Sequence, residues 1–414
     1  MNLTQLFGHF SSGVNWISHC WIPVRFVPTL EGVTRERFTI VISDCHLSAG
    51  RFFEGQLNPH EDFFFDDEMC AFFDYFSTGR YGERADGPVE VELFINGDYL
   101  DLLNVPYYGE FEDSITEEIA LYKLEAIFAG HPKVMAALRR FASRPGKRIT
   151  YLIGNHDSEL FFPKVRERIV QEWDPEGRRE SDKVRVIADR DRIRFESGVE
   201  IHHGNQFEAV HVLNFEQPLL DVGAGEAPVL NIPWGSYYVL KIINRMKWER
   251  EFLDKIRPVK AYVLFGLLFD PWFTIRFVFL SAFYFFKTRF VYSRKRRASI
   301  KVTAEIFKQE TDFLLDLEKQ ARALLTQEPE IKTVIFGHTH KPMNKVYPDG
   351  KQYINTGTWT KMINVDWRSL GRQQYCLTFA LVRHVQDAEG SPWRAECDLR
   401  HWMGEYSPHR VFQS

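Results

Sequence analysis

Ile149-Thr150-Tyr151-Leu152-Ile153-Gly154-Asn155-His156-Asp157 is a short apolar run that halts at a glycine and then turns polar. A run of this length, bounded by glycine, reads as a buried strand ending in a loop. The same pattern recurs four times. Residues 38–43 run into Asp44-Cys45-His46, and residues 91–96 run into Gly97-Asp98-Tyr99-Leu100-Asp101. Residues 199–201 lead to His202-His203-Gly204, and residues 333–336 end at Gly337-His338-Thr339-His340. Each polar motif therefore falls at the carboxyl end of a strand, the rim on which open α/β sheets bind ligands. Helical periodicity fills the intervals at 114–128, 132–142 and 302–325, the last with Ile306, Phe313, Leu317 and Leu324 on one side. Strands resume at 352–355 and 375–382. The expected body is layered α/β, with helices outside the strands.

In order and residue type the five motifs resemble the calcineurin-like metallophosphoesterase superfamily. The residues 353–359, Tyr-Ile-Asn-Thr-Gly-Thr-Trp, resemble its closing strand and turn. The resemblance spans residues 38–382, apart from two long intervals, and implies a β-sandwich flanked by helices. It also implies two divalent cations about 3.5–4 Å apart, which clamp a phosphoryl group and turn a bridging water into hydroxide. On that pattern the first cation takes Asp44, His46, Asp98 and His340, and the second takes Asp98, Asn155, His203 and His338. Asp98 is the shared ligand. His156 is expected to assist the leaving group, oriented by Asp157, with Asp101 in a supporting role. The mixed oxygen and imidazole set suits Mn²⁺ first, with Fe and Zn²⁺ as alternatives.

Local geometry supports part of this. Residues i and i+2 of an extended chain point the same way, so Asp44 and His46 are expected to share a cation while Cys45 faces elsewhere. Gly97, Gly154 and Gly337 are expected to let the backbone bend beneath the cations. His202 reads as a buried, satisfied neighbour of His203.

At 414 residues the chain can bury a large core, and its 44% apolar and 26% charged residues fit a folded protein. Net charge is −4, but residues 241–300 carry 14 Lys and Arg against 4 Asp and Glu, so one surface is expected to be basic. Five scattered cysteines without a C-x-x-C pattern argue against a disulfide framework or a zinc ribbon, and a reducing compartment fits. No signal peptide is expected at the amino terminus. The expected organisation is an extension at 1–36, a first core part at 37–204 with an insertion at 47–90, a cap at 205–300, and a second core part at 301–414. The acidic, aromatic stretch at 47–87 is read as a rim or second lid.

The cap is expected to be largely helical and contains the most apolar stretch, residues 261–286. Its apolar side chains offer about −7 kcal/mol for insertion, and Asp270 and Arg276 cost about 5 to 7. A single crossing would also put His203 and His338 on opposite sides of a bilayer. The expected alternative is an interfacial hairpin, with Phe277, Phe279, Phe283, Phe285 and Phe286 beside the basic cluster Arg294, Lys295, Arg296 and Arg297. The expectation is a phosphodiester or pyrophosphate hydrolase, cytoplasmic and peripheral on the inner face of a membrane, acting on a lipid-linked substrate. No nucleic-acid partner is expected. A hydrophobic cap over two metals also resembles the UDP-2,3-diacylglucosamine hydrolases, whose best-known group has Arg where this chain has His156. The alternatives are a soluble nucleotide phosphodiesterase or phosphatase, and a membrane-docked scaffold with a vestigial site.

Overall fold

The computed structural model describes residues 35–177, 183–223, 225–257, 259–290, 317–364, 372–374 and 377–404. Two sheets form the body. The first orders its strands β11-β10-β1-β2-β3-β4, namely Arg394–His401, Thr378–Gln386, Arg35–Ile42, Glu90–Asn96, Lys147–Leu152 and Val184–Ile187. Strands β1 to β4 run parallel, and the two carboxyl-terminal strands join antiparallel. The second sheet orders β8-β9-β7-β6-β5, namely Met343–Val346, Gln352–Asn355, Thr333–Phe336, Val199–His202 and Arg192–Arg194. Its three central strands are parallel.

Side chains alternate faces along a strand, and here both faces are buried. Val41, Phe94, Leu152, Ile201, Ile335 and Val382 form one cluster, so the two sheets pack face to face. Their neighbours Ile40, Ile42, Leu93, Ile95 and Tyr151 point outward. They meet α2 (Glu117–Gly130), α3 (Pro132–Ser143) and α4 (Pro163–Trp173). Outside the second sheet, α7 (Leu317–Gln327) lays Leu317, Ala321 and Leu325 on Val334, Phe336 and Tyr353. The part of the expected 302–325 helix before Leu317 lies outside the described residues.

The stretch at 47–87 is not a lid. It forms α1 (Asp66–Tyr75) and buries Phe63, Met69, Phe72, Phe73, Phe76 and Tyr81 in the main core. Phe72 sits edge-on to Trp359, Phe379 and Trp402, so this stretch seals one end of the first sheet. His131 fastens it to the helices, with Nδ1 2.9 Å from Asp66 Oδ1 and Nε2 3.1 Å from Glu61 Oε2. Burial opposes its charge, but Asp66 and Glu61 outweigh burial and raise its pKa to about 9. A raised pKa stabilises the fold fully below the unfolded value near 6.5, and that stability is lost as pH rises through about 9. A loss of about 3 kcal/mol is expected across this window. Urea melts at pH 6 and 9.5 check it, and His131→Gln should flatten the difference.

The segment expected as a cap is only partly separate. Residues 234–247 form a helical run through α, π and α turns, packed on the body. Asn244 Nδ2 donates to Leu103 O at 2.8 Å, Ser236 Oγ donates to Asn155 O at 3.3 Å, and Leu240 joins the main core. Beyond it, α5 (Val259–Phe269) and α6 (Pro271–Phe290) form a helical hairpin. Phe277, expected on an interfacial face, is instead buried with Ile242, Met246, Leu253 and Phe273. The side chains of Phe285 and Phe286, and residues 294–297, lie outside those described. No described helix is long and apolar enough to cross a membrane.

Candidate metal centre

Because β1, β2 and β3 are parallel in one sheet and β6 and β7 in the other, their carboxyl ends deliver all five motifs to one rim. Three groups of ligand atoms gather there, each within 4.8 Å: Asp44, His46 and His340; Asp98, His203 and His338; and His46, Asp98 and His156. The first holds three of the four residues expected at one cation, without Asp98, and the second three of the four expected at the other, without Asn155.

Asp44 is fully buried. Its Oδ2 accepts from Ser43 Oγ and, at 2.9 Å, from His338 N, while Thr358 Oγ1 holds its carbonyl at 2.6 Å. Its Oδ1 lies 3.3 Å from His340 Nε2. His46 Nε2 and His340 Nε2 face each other at 3.0 Å, a spacing that suits two ligands of one ion. Asp98 sits in one group with His203 and His338 and in another with His46 and His156: Oδ1 accepts from His156 N at 2.8 Å, and Oδ2 is 3.2 Å from His203 Nε2. His203 Nδ1 donates to Asn96 O at 2.7 Å, which turns Nε2 toward the cluster.

The backbone at these positions is strained. Asp44, His46, Asp98, His338 and His340 have φ of 52°, 52°, 51°, 68° and 59°. Such left-handed conformations are uncommon outside glycine and concentrate at functional sites. This corrects the extended-strand reading of Asp44 and His46: they share a group because the loop curls at both residues. Glycine is required beside them. A Cβ on Gly97 would come within 2.5 Å of His203 Nδ1, and one on Gly154 would collide with Asp98 Oδ1.

The residues fit a pair of cations on their own chemistry. Asn155 Oδ1 is buried without a hydrogen-bond partner, and Asp44 Oδ1 and His203 Nε2 are buried with only ion-pair neighbours, His340 at 3.3 Å and Asp98 at 3.2 Å. Buried polar atoms are ordinarily satisfied, so three atoms converging here without a hydrogen bond suit an ion. Burial would raise both carboxyls, but His340 and His203 beside Asp44, and His203 and His156 beside Asp98, hold them below the usual range. Burial likewise opposes a charged His203, yet Asp98 raises it to about 9; a cation would displace that proton from Nε2.

One expected role changes hands. Asp157 does not orient His156. It lies fully buried under the loop, where Oδ1 accepts from Gly154 N at 2.5 Å and Oδ2 from Tyr151 OH at 2.6 Å and Tyr99 N at 3.2 Å. The orienting carboxylate is Asp101, whose Oδ1 is 3.1 Å from His156 Nδ1 and whose Oδ2 is 3.0 Å from His46 Nδ1. Burial opposes a charged His156, but Asp101 and Asp98 raise it to about 10. Asp157→Asn is therefore expected to lower thermal stability by several degrees through the loop it anchors, and Tm by circular dichroism checks this. His202 is satisfied as expected, by Glu200 at 2.7 Å and Gln206 at 2.8 Å.

Sequence reasoning missed Glu208 and His211, which form a further group with His338 within 4.8 Å. The only signal was an acid and a histidine shortly after His203.

No family model matches the chain, and no curated protein matches it. Solved structures similar to it include vacuolar protein sorting 29 from Cryptosporidium parvum, 13% identical over 88% of this chain and 98% of that one, with a TM-score of 0.26. The calcineurin-like phosphoesterase YfkN from Bacillus subtilis is 10% identical over 90% and 92%, with a TM-score of 0.34. A dimetal phosphatase from Danio rerio is 10% identical over 88% and 99%, with a TM-score of 0.34. At these scores the reading of the site rests on its own geometry. In fold class and in the order of its motifs the chain resembles the calcineurin-like metallophosphoesterases.

Proposed function

We propose that the chain is a metal-dependent phosphoester hydrolase acting on a lipid-linked phosphodiester or pyrophosphate at an anionic membrane surface. The observation that carries the hydrolase reading is the convergence of the two ligand groups on one rim, with buried atoms of Asp44, Asn155 and His203 that make no hydrogen bond. When bound, two divalent cations supply positive charge for the phosphoryl oxygens and an acidified water. Asp98 keeps the two positions together, and Asp44, His46 and His340 define one of them. His203, His338 and Asn155 define the other. With Nδ1 held by Asp101, His156 keeps Nε2 for the leaving-group oxygen and can deliver its proton there. Mn²⁺ is the proposed ion.

The membrane part rests on the α5–α6 hairpin. Phe269 and Trp272 at its tip are each 83% exposed, and Leu264, Leu268, Ile275, Phe279 and Phe283 stand out along its sides. Several large apolar side chains exposed on one hairpin suit an interaction site. Arg250 pairs with Asp270 at 2.5 Å and Arg276 with Glu249 at 2.5 Å, which leaves the aromatic tip flanked by neutralised charge. The full chain is expected to float with liposomes rich in phosphatidylglycerol, and Phe269→Glu with Trp272→Glu is expected to leave it at the bottom of the gradient. Wild-type protein that stays at the bottom would favour the soluble nucleotide-directed alternative. Flotation of Asp98→Ala without any turnover by the wild type would favour the scaffold.

A further inference from the structure

We infer that Glu208 is the carboxylate that orients His338 for its cation, an outer partner that the five motifs do not contain. The inference rests on the two-cation reading of the site. His338 belongs to the Asp98 and His203 group, and its Nε2 lies 2.6 Å from Glu208 Oε2. An ionised carboxylate only accepts, so Nε2 carries the proton. The lone pair is then on Nδ1, and Nδ1 is the atom that His338 offers to a cation. A carboxylate on the far nitrogen of a ligating histidine fixes its tautomer and ring angle and raises its basicity.

Glu208 is held in place for this. It follows the tight turn Asn205–Phe207, which starts from Gly204 at φ 118°. His211 N donates to Glu208 O at 2.8 Å, Asn205 Nδ2 donates to His211 O at 2.8 Å, and Gly235 N donates to Val210 O at 2.8 Å. The His211 ring packs so closely on Gly235 that a Cβ there would overlap it, and it lies 5.3 Å from the His338 ring at 75°. The 208–211 turn is thus closed on itself and held by Asn205 and Gly235, with His211 Nε2 3.8 Å from the Glu208 oxygen that faces His338. A separate third cation among Glu208, His211 and His338 would need the Nε2 lone pair as well, stripping the ring of both protons. The orienting role needs no such step. Glu208 is a positioning residue.

The test is a two-site Mn²⁺ titration of the metal-stripped full chain by calorimetry, joined to nitrogen NMR of ¹⁵N-histidine protein loaded with Cd²⁺. Glu208→Ala is expected to weaken one of the two sites by about 10–100-fold and leave the other unchanged. Glu208→Gln keeps an acceptor oxygen but loses the charge, and is expected to recover part of the loss. The NMR spectrum is expected to show His338 bound to cadmium through Nδ1. Two sites of wild-type affinity in Glu208→Ala, full recovery in Glu208→Gln, or coordination through Nε2 would each overturn the inference alone. A wild-type chain that binds no cation pair would overturn it together with the two-cation reading. Glu208 is 29% exposed at its side chain, so its replacement spares the core.

Discussion

Asp98→Ala is expected to reduce Mn²⁺-supported hydrolysis of bis(p-nitrophenyl) phosphate by about 10³-fold or more. The carboxylate is 1% exposed and lies in one ligand group with His203 and His338 and in another with His46 and His156, touching His203 through one oxygen and the His156 amide through the other. Without it the two cation positions lose their common ligand, and the remaining imidazoles lose the negative charge that balances a cation. Several kcal/mol of transition-state charge stabilisation would go with the metals, and each 1.36 kcal/mol is tenfold in rate. Bound metal, by mass spectrometry of the desalted protein, is expected to fall well below two per chain. The fold should persist, because the face-to-face packing of the sheets does not use Asp98. Turnover above a tenth of the wild-type rate would contradict the bridging role.

His156→Ala is expected to behave differently. Two cations should remain bound, while kcat falls by about 10²–10⁴-fold, the span typical for a general acid. The size of the loss should depend on the leaving group. A p-nitrophenolate leaves without a proton, so its ester should suffer least, and an alkyl phosphodiester should suffer most. Asp101→Asn provides the comparison: it releases His156 and also His46, since one oxygen of Asp101 holds each ring. It is therefore expected to lose metal as well as rate. A loss in His156→Ala that is equal across leaving groups would remove the proton-donor role and leave a purely electrostatic one.

Most of the architecture was legible because each strand that carries a motif has an apolar face, usually two, and ends at a polar loop; in Val199–His202 one face is Glu200 and His202. A run such as 149–153 has to be buried between layers, and the motif after it has nowhere to go but the rim. What could not be read was anything set by neighbours distant in the chain. Asp157 adjoins His156 and looked like its orienting partner, yet Asp101, from the loop after a different strand, reaches the ring. The Asp44 and His46 backbone is left-handed rather than extended, because both loops curl round the space where ions fit. The aromatic stretch at 47–87 has the composition of either a lid or a core. Only its contacts with Trp359, Phe379 and Trp402, more than 280 residues later, make it core. Glu208 and His211 follow no periodic pattern, and their role depends on a turn clamped by Asn205 and Gly235.

The most direct test of the central claim is anomalous diffraction, at the manganese edge, from crystals of the full chain grown with Mn²⁺. The account predicts two peaks about 3.5–4 Å apart, both within bonding reach of Asp98, one beside Asp44, His46 and His340 and the other beside Asn155, His203 and His338. A map with no peak at this rim, or with a single ion that does not touch Asp98, would contradict it.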